Sequence, residues 1–154
     1  MLKEVYEPKK VFSLNEANKT LPLVSRIIQD VVRTHQELTK RGERARKLRQ
    51  EKRTAQATAQ ATAQATVQAA EEEARAQDLG YEIESYFEEL EKIGCSCKDP
   101  VLGLVDFPAC VGDQIILLCW KLGEPQILYY HDLKSGFAGR KPVGDLFNSN
   151  PKSA

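Results

Sequence analysis

The 154-residue sequence predicts an α+β protein, a long antiparallel helical hairpin followed by a small antiparallel three-stranded β-meander. Three observations carry that expectation. Two segments place apolar residues at alternating steps of four and three, the spacing of one helix face laid against another. That period stops at Gly94. Beyond it, short β-type runs are separated by turn residues.

Residues 1–12 read as an extended lead-in, in which Pro8 cannot donate a backbone hydrogen bond. A helical hairpin is expected over residues 13–94. Ser13 and Glu16 have capping-box spacing, with Phe12 placed to pack over the first turn. The first stripe runs through Ala17, Leu21, Val24, Ile28, Val31, His35 and Leu38. Pro22 interrupts it by removing one intrahelical hydrogen bond, so a kink or a short first helix is expected there. The second stripe is Ala76, Leu79, Ile83, Tyr86, Leu90 and Ile93, with Gly94 placed to end it in a left-handed cap. Laid antiparallel, the stripes match where paired residue numbers add to 107, as for Ala17 with Leu90 or Val24 with Ile83. A shift by one heptad preserves the pattern. This register sets His35 opposite Glu72, either as a buried pair or with His35 partly exposed, and puts the turn near Arg53 and Thr54. There the chain enters a TAQA repeat over residues 54–70, a helical or frayed arm with nothing bulky enough to anchor a core.

The meander is expected within residues 95–147, packed on the hairpin base. Its strands are runs 104–109, 114–121 and 126–132, separated by Val111-Gly112-Asp113 and Leu122-Gly123-Glu124-Pro125. The middle run, Ile115 to Trp120, is apolar on both faces, as a strand covered on each side would be. One face belongs on the hairpin. The other needs cover from the segment after His131, a second copy of the chain, or a ligand. Residues 148–154 read as a tail.

Composition narrows the function classes. Lys plus Arg equals Asp plus Glu, 22 against 22, so no global charge favours nucleic acid or an anionic membrane. No apolar run is long enough to span a bilayer, and the N-terminus lacks the apolar stretch of a signal peptide. The expectation is a bacterial-type cytoplasmic protein with reduced thiols. Residues 40–53 carry eight basic side chains and the second helix answers with a run of glutamates. Pairing within the hairpin and solvation account for this segregation without nucleic acid, since no aromatics are interleaved.

The polar groups of the C-terminal third are the candidate chemistry. Asp106, Glu124, His131, Asp132 and Arg140 fall on or beside strand ends. Imidazole and carboxylates ligate divalent metals, so His131, Glu124 and Asp106 form a candidate metal set, and a divalent metal is the candidate cofactor. The reading these unaligned polar residues favour is structural: Asp106 and Asp132 as turn or edge acceptors, Glu124 as a hairpin residue and Arg140 as their salt-bridge partner. His131 and Asp132 point to opposite faces unless the strand ends between them. Residues 135–140 read either as a simple glycine-rich turn that folds Phe137 back onto the sheet, which turn chemistry favours, or as a loop in which Gly136 and Gly139 turn amides inward beside Arg140 to hold a small anion. Cys95, Cys97, Cys110 and Cys119 could supply thiolates to zinc, but the usual pair spacing is absent and Cys119 sits in the apolar run as a small core residue.

The blocks GLVDFPA, LLCWKLGEP and YYHDLKSGFAGRKP, with SLNEANKTLPL at the first helix start, resemble an uncharacterised bacterial family, domain-of-unknown-function family twenty-two-oh-three. The resemblance covers most of the chain and implies a helical half followed by these three blocks. The TAQA run and the Cys95–Cys97 pair lie outside the blocks. It carries no activity over to these residues. Two function classes therefore stand. The first is a non-enzymatic interaction or self-association module, with a homo-oligomer or protein partner. The alternative is a metal- or small-anion-binding protein, or an enzyme, with a polar site at the end of the meander.

Overall fold

The computed structural model describes residues 6–51 and 58–148, so parts of the lead-in, the TAQA arm and the tail lie outside the described residues. Helix α1 spans Leu14–Glu51 and helix α2 spans Ala59–Ile93. The cap anticipated at Ser13 forms: its Oγ accepts from the Glu16 amide at 3.1 Å, satisfying one of the helix's orphan donors. Phe12, just ahead of the cap, is buried edge-on against Phe107 and donates its amide to the Pro108 carbonyl. Pro22 lies inside α1 rather than ending it, so no short first helix forms. Burial of Leu21 and Val24 on either side of Pro22 outweighs the one lost bond. Gly94 closes α2 at φ 109°, a conformation costly for any residue with a Cβ, and donates to the Leu90 carbonyl.

The hairpin register differs from the one in which residue numbers add to 107. Glu72 meets Arg41, whose numbers add to 113 (41 + 72), and Arg41 replaces His35 as its partner. Arg44 also meets Glu72, Leu38 approaches Gly80 and Arg49 meets Glu73, so facing residue numbers add to between 113 (41 + 72) and 122 (49 + 73). The first turns of α1 pack on both α2 and the sheet: Ala17, Leu21, Val24 and Ile28 share one core with Leu90, Val105, Phe107, Leu118 and Trp120. Among the described residues, no helix is long and apolar enough to cross a membrane.

The sheet has five antiparallel strands in sequential order, not three: β1 Ser96–Asp99, β2 Leu104–Val111, β3 Gln114–Lys121, β4 Tyr129–His131 and β5 Lys141–Pro142. The two additional strands are both edges. β1 is the polar tetrapeptide SCKD and β5 is two residues, one of them proline, so neither shows apolar alternation. β4 is also shorter than the run 126–132. A short helix α3, Gly144–Asn148, follows β5. The β2–β3 turn is the two-residue Gly112-Asp113, with Gly112 at φ 60°, a glycine-first hairpin turn that fixes the register. One sheet face packs on the helices. The outer face carries Leu104, Asp106, Pro108, Leu117, Cys119, Tyr129 and His131, and the chain's own segment after His131 folds over part of it.

Candidate metal centre

The two-residue β2–β3 turn pairs Asp106 directly with Cys119, and β4 pairs His131 with Leu117, the next outer-face residue along β3. Three side chains of different chemistry therefore converge on the outer face. Their ligand atoms, a carboxylate oxygen, a thiol sulfur and an imidazole nitrogen, lie within 4.8 Å of one another, and all three residues are buried. Among the described residues, this is the one group of three or more such side chains close enough to share an ion.

The hydrogen bonds around His131 determine its tautomer. Nδ1 lies 2.7 Å from the Asp132 carbonyl oxygen, which can only accept, so Nδ1 carries the hydrogen and donates. Nε2 faces Asp106 Oδ1 at 3.0 Å, with both side chains 4% exposed. A bare nitrogen lone pair against a bare carboxylate oxygen would repel. A cation has to lie between them, a shared proton or a metal. β4 ends at His131, yet Asp132 does not join the site. Its Oδ1 instead accepts the amides of Lys134 and Ser135, which hold the carboxyl below its usual range, the Ser135 bond most of all.

Cys119 is not poised as a nucleophile. Burial above all, then the charge of Asp106, pushes its thiol up to about 12, while the charge of Arg140 works the other way. Both nitrogens of His131 are engaged, and a hydrogen bond to the Asp106 side chain also favours the protonated thiol. Cys95 and Cys97 are likewise pushed up by burial, to about 12 and about 11, Cys110 is exposed, and all four cysteines are free. The four-thiolate arrangement does not form, because Cys110 lies near the far end of the β2–β3 hairpin from Cys119.

Glu124 also stands apart from the metal set to which the sequence assigned it. Its Oε1 accepts the Lys121 amide at 2.6 Å and Arg140 Nη2 at 2.5 Å, while its carbonyl accepts Trp120 Nε1. Arg140 reaches across to donate to the Cys119 carbonyl, with its guanidinium over the rings of Tyr129 and Phe137. This largely buried pair braces β3 from the side of Cys119 remote from His131. The glycine-rich turn serves the same brace. A Cβ on Gly139 would lie 2.3 Å from Ser135 Cβ, and the amides of Gly139 and Arg140 are spent on the carbonyls of Gly136 and Phe137. Two of the amides expected to face an anion thus hold the turn, and Gly136 lines the edge of the cleft described next.

Over the three converging side chains lies a cleft of about 270 Å³, walled by Leu104, Leu117, Leu133 and Phe137 and edged by Lys98 and Lys134. The two lysines are members the sequence did not suggest, and Cys119 was read as a small core residue or one of four thiolates, not as a partner of Asp106 and His131. The signal for Cys119 was the turn: centred on Gly112-Asp113, it pairs residues whose numbers add to 225, which sets 106 against 119.

A scan against family models matches residues 10–143 to the family described as "Uncharacterized conserved protein (DUF2203)". The chain belongs to this family. The DUF2203 match takes in the hairpin, all five strands and every residue of the candidate centre. No curated protein and no solved structure matches. The family description assigns no activity, so the functional reading rests on geometry.

Proposed function

We propose that this protein binds a divalent transition-metal ion through Asp106, Cys119 and His131, and that zinc suits the site best. The supporting observation is the convergence of carboxylate, thiol and imidazole atoms on one buried point, with the imidazole's other nitrogen donating to a backbone carbonyl. Metal-bound histidines are oriented in this way, and the mixed O, S, N donor set is one that zinc accepts. Tetrahedral zinc bonds of about 2.0–2.3 Å separate ligand atoms by about 3.3–3.7 Å. The Nε2–Oδ1 contact of 3.0 Å has to open by a few tenths of an ångström, and the 4.8 Å span has to close by about one.

Charge balance favours the exchange. Without metal, the shared proton and the Cys119 thiol proton leave the trio neutral; a divalent cation replacing both protons also leaves it neutral. A buried site can then take up the ion without stranding a charge. Three protein ligands leave the fourth position to the cleft, the arrangement of a site that engages a small molecule.

The test is metal analysis of untagged protein, followed by replacement with Co²⁺. One ion per chain is expected, with a thiolate-to-cobalt charge-transfer band that Cys119→Ser abolishes while the protein stays folded. Absence of bound metal, or a band that survives Cys119→Ser, overturns the reading.

A further inference from the structure

The cleft above the trio is chemically lopsided. Its walls are aliphatic and aromatic, from Leu104, Leu117, Leu133 and Phe137, and its two cationic edge residues are Lys98 and Lys134. The one carboxylate lining it, Asp106, is already committed to His131. An incoming ligand therefore meets apolar surface and uncompensated positive charge. The local backbone sets this up. The β1–β2 register shifts between Cys97 and Asp99, and Lys98 is the unpaired residue at that irregularity. Bulges of this kind re-aim side chains beside sites. Lys134 is held on the opposite lip by the Asp132 turn, whose carboxylate accepts its amide at 2.8 Å.

We infer that the cleft takes a small organic carboxylate with a short apolar body, its carboxylate completing the coordination of the ion between the two lysines. The inference rests on the metal reading above and adds the ligand class. Size agrees: about 270 Å³ falls just below the usual range of ligand pockets and suits a molecule of only a few carbons. Chemistry agrees too, since a carboxylate oxygen is a zinc and cobalt ligand in its own right. The apolar walls set the selectivity, because a body without polar groups leaves no donor or acceptor unpaired against them.

Co²⁺-loaded full-length protein, with isovalerate as the probe, tests this. Isovalerate is expected to shift the visible cobalt bands saturably. Its neutral isostere isovaleramide, at equal concentration, is expected to leave them unchanged, and acetate to act more weakly. The Lys98→Ala/Lys134→Ala double variant should still take up Co²⁺ stoichiometrically, with isovalerate binding weakened about tenfold, the scale of two solvent-facing charge contacts. Cobalt uptake with bands that isovalerate does not move, or moves no more than isovaleramide, overturns this inference and leaves the metal reading standing. Failure of cobalt uptake overturns both.

Discussion

Arg140 shows how much a single side chain carries in this sheet. Its guanidinium ties the Cys119 carbonyl to Glu124 and lies over two aromatic rings, with 13% of its side chain exposed against 17% for Glu124. Removing one partner of a largely buried pair leaves the other charge poorly compensated, so Arg140→Ala is expected to cost about 3 kcal/mol, read from the denaturation midpoint. Arg140→Lys should recover only part of that, because a lysine restores the charge but neither the planar fork nor the stacking. Equal stability of the Lys variant and the native protein would contradict this account of the brace. Most of these residues were legible in the sequence as polar groups at strand ends. Their partners were legible only in part: the salt bridge of Glu124 to Arg140 was one of two readings, whereas Cys119, buried as expected, also meets Asp106 and His131. Residue type and spacing name the chemistry, whereas register decides which groups meet.

At the scale of elements, the hairpin was readable because its stripes repeat over many turns and because Ser13 and Gly94 mark its ends with local chemistry. The register was not, since a heptad slide leaves the stripes equally matched. β1 and β5 escaped for a different reason: as short polar or proline-bearing edges they owe their strand state to β2 and β4, not to their own pattern. Pro22 remains a local conflict within α1, lacking the N–H that would bond the Asn18 carbonyl. The Asn18 side chain is used elsewhere, its Oδ1 accepting the Ile127 amide at 2.7 Å, so α1 is tied to the approach to β4 at this turn. Pro22→Ala is expected to raise stability by about 1–3 kcal/mol by restoring one bond and relieving the crowded turn. Thermal denaturation checks it, and an unchanged or lowered midpoint would mean that the helix relies on the proline.

At the scale of the whole molecule, the parts divide their tasks. The inner sheet face and the helices make the hydrophobic core, and Ile28, Leu90, Phe107 and Leu118, nearly or fully inaccessible to solvent, contribute about 1.5–3 kcal/mol apiece by burial. The outer face is then free to hold polar groups that a core would exclude, and the bracing pair and the glycine turn keep them in place. A buried trio on a rigid sheet, open at one side to a cleft, is the arrangement on which the functional account depends. Zinc-edge X-ray absorption of the metal-loaded protein interrogates it most directly. The account expects one sulfur at about 2.3 Å with nitrogen and oxygen ligands at about 2.0–2.2 Å, one of them an imidazole. A first shell without sulfur, or with more than one, would contradict it.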